Sequence, residues 1–206
     1  MGIIAKQPDT DIKYDPVPQG LHVGICYGIF DLGTQHSEFY DTWHRKIIIV
    51  WELPEVRGQF EKDGETKDLP KAISNEYTLS LHSKSALRHD LETWRSKGFT
   101  EDELSGFDIT RLLGVPCQIQ VIHKQSKDGT KTYSNVGGIV QAPKGYNKQP
   151  ENEPIYFSFE EHGQSIPEKT PEWIVNKIKQ SKEWRSFDQP SNITPLNEEK
   201  DPDVPF

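Results

Sequence analysis

Two short stretches of the sequence set flat rings beside cations. Phe39, Tyr40 and Trp43 are followed by Arg45 and Lys46, and Lys124, Lys127 and Lys131 surround the turn residues 126–129, with Tyr133 just beyond. Aromatic rings stack on nucleobases, each contact being worth about 1–3 kcal/mol, and cations track phosphates. Side by side, the two residue types suit a groove for single-stranded nucleic acid. A lysine is by default merely solvated, and a ring is by default part of a core. The expectation therefore rests on the pairing recurring in two separate loops. Tyr27 and Trp51 share strand faces with aliphatic residues and are expected in the core.

The last residues carry a second signal. Asp201-Pro202-Asp203-Val204-Pro205-Phe206 brings an apolar group to a polar stretch. A terminal Phe gains little by local folding, but it can enter an apolar pocket on a partner while nearby carboxylates meet basic residues around it. Asp201, Asp203, Val204, Pro205 and Phe206 are thus expected to bind a partner.

Other chemistries find little support. There is no His-Glu-x-x-His, no Cys-x-x-Cys, no Gly-x-Ser-x-Gly and no phosphate-cradling Gly-x-x-x-x-Gly-Lys-Ser/Thr. A non-enzyme without metal or cofactor is expected. Cys26 and Cys117 lie in apolar alternating segments, which predicts buried free thiols. No run of about 18 apolar residues is present, and the first residues lack an apolar signal core. A cytoplasmic protein without membrane contact is expected.

The charge is polarised. The chain of 206 residues has a net charge of −8. Residues 1–150 hold 18 Lys and Arg against 20 Asp and Glu, whereas residues 151–206 hold 6 against 12. Between 111 and 150 only Asp128 opposes six basic residues. An acidic segment of this kind can mask a basic face.

The elements that must position these groups follow from periodicity. Leu21, Val23, Ile25, Tyr27 and Ile29 alternate, as do Ile47, Ile49, Trp51 and Leu53, then Tyr77, Leu79 and Leu81, which predicts three strands. Gly24 and Gly28 fit a strand that turns a barrel corner. Residues 57–71 read as a charged connection around Asp63-Gly64. Leu87, Leu91 and Trp94 predict a helix over 85–97, and Thr100-Glu101-Asp102-Glu103 is a capping box for a second, short helix. Pro116 opens a fourth strand, and the turn at 126–129 leads into a fifth over 133–140. Three strands, a helix and two strands is the order of a five-stranded OB-type β-barrel. The expected organisation is an arm over 1–18, this mainly β domain with helical insertions over 19–143, and an extension over 144–187 with one helix from Pro171 docked on the barrel. A disordered acidic tail follows over 188–206, where four prolines and five acids accompany one lysine.

Asp-x-Val-Pro-Phe after an acidic, proline-containing linker resembles the C-terminal tip of bacterial single-stranded DNA-binding proteins, although this one is short and has fewer aspartates. Asp31-Leu32-Gly33-Thr34-Gln35, Trp51-Glu52-Leu53, Tyr77-Thr78-Leu79-Ser80-Leu81 and Phe107-Asp108 to Leu113-Gly114, within about 20–143, resemble phage-encoded OB-fold proteins of the same kind. The resemblance implies single-stranded DNA as partner, bound without sequence preference. It also implies recruitment of replication, recombination or repair proteins through the tip, and host cytoplasm as the location if the source is a phage. A homo-oligomer is compatible with all of this. The rival expectation is a non-catalytic protein- or RNA-interaction module, such as a viral structural protein, since OB folds host many functions.

Overall fold

The structure, a computed structural model, describes residues 15–38, 40–62 and 64–188. Phe39, most of the N-terminal arm and the expected tail beyond Asp188, with its partner-binding tip, lie outside the described residues.

The protein is mainly β. Six strands form one sheet: β1 (Gly20–Ser37), β2 (Thr42–Lys62), β3 (Glu65–Thr78), β4 (Pro116–Gln125), β5 (Thr132–Gln141) and β6 (Ile155–Phe157). The path is β3-β2-β1-β4-β5 with antiparallel neighbours, and β6 runs parallel to β1 over Gly28–Phe30. β3 and β5, the ends of the path, touch, and helix α1 (Ala86–Arg95) lies against both. No ladder joins β3 to β5 among the described residues.

β2 has two buried faces. Ile47, Ile49, Trp51 and Leu53 point into one core with Leu87, Leu91 and Trp94 of α1, as their alternation predicts. Ile48 and Val50 point the other way, into a second core with Phe30 and Leu32 of β1 and with Phe157, Phe159, Ile174 and Ile178. This second core is the seat of the C-terminal extension. Ile174 and Ile178 are fully buried, and burying a side chain of this size stabilises by about 1.5–3 kcal/mol.

β1 is bent by irregularities between Cys26 and Gly28 and between Asp31 and Gly33. At Gly24 a β-carbon would stand 2.5 Å from the Ile119 side chain and 3.3 Å from that of Trp51, so the two walls of the inner core meet there only because a side chain is missing. The first irregularity also shifts the parity of the strand. Cys26 lies in the inner core, and Tyr27, expected in the core, is half-buried and packs against the second core instead. Both cysteines are buried and free, and burial pushes both thiols up.

The helical signals hold. Ser85 caps α1 by accepting from the Arg88 N–H. In α2 (Glu101–Ser105) Thr100 and Glu103 form the reciprocal capping box. Three differences have physical causes. Residues 57–62 and 65–71 of the charged connection extend β2 and β3 as a long hairpin. Arg57 bonds both the carboxylate and the carbonyl of Asp68 across it, so polar pairs do what apolar alternation does elsewhere. The extension holds three helices, α3 (Phe159–His162), α4 (Glu172–Lys179) and α5 (Lys182–Asp188), where one was expected. The outer two are too short to show a helical period. Pro171 is the N-cap of α4, not its first helical residue.

α5 docks on β1 through Glu183, whose carboxylate accepts from the Thr34 N–H at 2.6 Å and the Thr34 hydroxyl at 2.7 Å. Gly33, with φ +65°, makes the approach achievable. A β-carbon there would lie 2.6 Å from Glu183 Oε2 and 2.7 Å from Ser181 Cβ. The N-terminal residues close the opposite end of the sheet. Val17 is buried in the inner core, and its carbonyl accepts from His123 on β4 and Ser134 on β5, while Lys71 of β3 holds Asp15 at 2.6 Å.

Candidate nucleic-acid interface

The rings and cations singled out above occupy two ends of β1. Its C-terminal end pairs with the start of β2, Ser37 opposite Thr42. Its N-terminal end pairs with β4, Gly20 opposite Val121, so the β4–β5 turn extends beyond that end. β1 has 18 residues and is bent at two irregularities, and the two groups stand at its two ends.

At the β1–β2 end, Tyr40 is 73% and Trp43 41% exposed. Trp43 faces its cross-strand partner His36, with ring centroids 4.8 Å apart at 43°. Lys182 of α5 sets its ammonium 3.9 Å from the centroid of the Trp43 ring. His36 in turn meets Asp41 at 2.9 Å.

The two cations that follow are engaged by carboxylates of the protein itself. Arg45 grips the buried carboxylate of Asp31 with Nε at 3.3 Å and a terminal nitrogen at 2.5 Å, and Asp31 also accepts from the Gly33 N–H. The hydrogen bond to Asp31 holds the Arg45 guanidinium above its ordinary pKa. Lys46 bonds Glu76 at 2.6 Å, and Glu76 is shared with Lys177 of α4. Arg45 and Lys46 therefore fasten β1, β2, β3 and α4, with their charge largely neutralised.

The β4–β5 end is different. The turn is closed by its own polar groups. Asp128 Oδ1 accepts from the Ser126 hydroxyl, the Thr130 N–H and the Thr130 hydroxyl, and these bonds pull its pKa down to about 2. Ser126 and Lys131 bond through their backbones, and Gly129 supplies the positive φ of +71°. On this hydrogen-bonded frame Lys124, Lys127 and Lys131 are exposed, and none of them makes an ion pair among the described residues. Tyr133 is 46% exposed and stands opposite Lys124 in the ladder, so ring and cation share a face.

β2 leaves β1 after the Ile25–Glu52 pair and continues as one arm of a hairpin with β3. It presents Phe60, 42% exposed, opposite Lys67. The sequence reading missed Phe60, Lys67, His36 and Lys182. Phe60 beside Gln59 and Glu61 is a ring within a polar run, the one signal that could have found it. Among the described residues no three His, Cys, Asp or Glu side chains cluster as metal ligands, and no helix is long and apolar enough to cross a membrane. No family model matches the chain, and no curated protein matches it significantly.

Proposed function

We propose that the protein binds single-stranded DNA without sequence preference, using a surface that runs between the two ends of β1. The observation that carries this reading is the β4–β5 turn, where three lysines without acid partners among the described residues stand on a hydrogen-bonded frame beside the exposed ring of Tyr133. Unneutralised cations attract phosphates, and a neighbouring ring gives a base something to stack on. Tyr40 and Trp43 supply further stacking at the far end. The strand path supports an OB-type barrel with β3 and β5 as its closing seam, a fold whose strand faces and flanking loops bind oligonucleotides.

The acidic segment after α5 has two roles in this reading. It competes with DNA for the basic end when no strand is bound, and Asp201, Asp203, Val204, Pro205 and Phe206 recruit replication or recombination proteins. Deleting 189–206, which keeps α5 whole, is expected to tighten binding at low salt; unchanged affinity would remove the masking role.

The deciding experiment is fluorescence anisotropy with labelled oligo-dT at several salt concentrations, with duplex of equal length as competitor. Binding whose log K falls with log salt by about 0.7 per phosphate neutralised, and which duplex does not displace, is expected. A salt-independent signal, or ready displacement by duplex, would refute the proposal.

A further inference from the structure

Under the β2–β3 hairpin lies a cavity of about 500 Å³, within the range of about 300–1,000 Å³ usual for small-molecule sites. It follows from the path of β2. Residues 54–56 are accommodated between Leu53 and Arg57, while β3 takes a single step from Pro70 to Lys71. The extra residues swing the hairpin away from the start of β1 and leave a space behind it.

Tyr27, Phe60, Pro70 and the N-terminal residues Asp15 and Val17 line this space, with Gln59 nearby. Three properties define what fits. The Tyr27 hydroxyl makes no hydrogen bond among the described residues. Burial first, then the charge of Glu52, pushes its pKa above the ordinary 10.0, so it stays a proton donor. Phe60 offers a ring that the protein leaves 42% exposed. The charged groups in the lining, Asp15 and Lys71, neutralise each other at 2.6 Å, so a charged ligand finds no counter-charge there. A flat, neutral ring with a polar edge matches all three.

We infer that this cavity receives one nucleobase of a bound strand, stacked on Phe60 and hydrogen-bonded at its edge by Tyr27. The inference rests on the single-strand reading above and deepens it. Lys67, the cross-strand partner of Phe60, pairs with Glu65 at 3.4 Å, so an adjoining phosphate would meet it only in competition with that carboxylate. Inserting a base requires it to leave the neighbouring stack, which a single strand permits cheaply and a duplex does not.

The test compares oligo-dT with an all-abasic strand of the same length, so that phosphates are kept and bases removed. The intact protein is expected to prefer oligo-dT. Phe60→Ala should weaken oligo-dT binding about tenfold and leave the abasic strand unchanged. Tyr27→Phe, which keeps the ring, should weaken oligo-dT binding about threefold. Thermal melting of each variant checks that folding is intact. Oligo-dT affinity unchanged in both variants, or equal losses on both strands, would overturn the cavity while leaving single-strand binding standing. If the intact protein bound neither strand, the single-strand reading would fall, and the cavity inference with it.

Discussion

At the C-terminal end of β1 each cation beside the exposed rings is already engaged: Arg45 with Asp31, Lys46 with Glu76, Lys182 with the Trp43 ring. At the other end Lys124, Lys127 and Lys131 have no acid partners among the described residues, and the one aspartate in their turn is consumed by hydroxyls and an N–H. The two ends share a composition of rings and basic residues, yet they differ in free charge. A cation bound to a carboxylate has spent most of its field, so counting lysines and arginines overstates the first end and understates the second. In the proposed reading, the β4–β5 end supplies affinity and salt dependence, and the β1–β2 end supplies stacking under the control of the C-terminal extension.

The strongest way to break this contrast is to remove the three free lysines together. Lys124, Lys127 and Lys131 changed to Ala should lower low-salt affinity for oligo-dT by about two orders of magnitude and make the log–log salt slope shallower by about two. Arg45 and Lys46 changed to Ala should alter that slope far less and should instead lower the melting temperature. Equal slopes for the two variants would erase the distinction between the ends.

A smaller effect sharpens the role of α5. A base that stacks on Trp43 must displace Lys182, whose contact with the ring is worth about 0.5–1 kcal/mol at an exposed site. Lys182→Ala should therefore tighten oligo-dT binding about threefold at high salt, where the lost charge matters least, with a change in Trp fluorescence. Weaker binding at high salt would show that Lys182 contacts the strand instead of shielding the ring.

The smallest expected effect is the pH dependence that Glu76 contributes at the first end. Burial raises the Glu76 pKa, but bonds from Lys177 and Lys46 outweigh it, and the carboxyl lies below its ordinary value of 4.5. A depressed carboxylate contributes stability that is present above its ordinary pKa and lost as pH falls through the folded value. Melting followed at pH 7 and below about 4 should show this loss in the parent protein, and Glu76→Gln should flatten it. An identical acid profile in the variant would mean that Glu76 does not fasten α4 to the sheet.

Much of the inner core was legible from spacing. Ile47, Ile49, Trp51 and Leu53 sit on one face with the apolar stripe of α1, and the capping box at Thr100 forms as its residue types require. The outer core was not read, although a signal existed: Ile47 to Trp51 is an unbroken apolar run, the mark of a strand buried on both faces. The distal β2–β3 hairpin escaped because both of its faces are largely polar, which leaves no alternation to see. The fates of Arg45 and Lys46 were out of reach for another reason. Their acid partners lie 14 and 30 residues away, a relation created by strand register and not by local spacing. Tyr27 was misplaced because a single irregularity after Cys26 exchanges inside for outside.

The outer face of β1 and β2 has a consequence for synthesis. Phe30, Leu32, Ile48 and Val50 emerge early, but the residues that cover them, Phe157, Phe159, Ile174 and Ile178, come more than a hundred positions later. At ribosomal rates of about 5–20 residues per second, this apolar strip stays bare for about ten seconds in every nascent chain. The β-domain therefore cannot be treated as a finished unit with an appendage. Until the last helices leave the ribosome it carries an open adhesive surface, and a chain halted near residue 143 would keep one permanently.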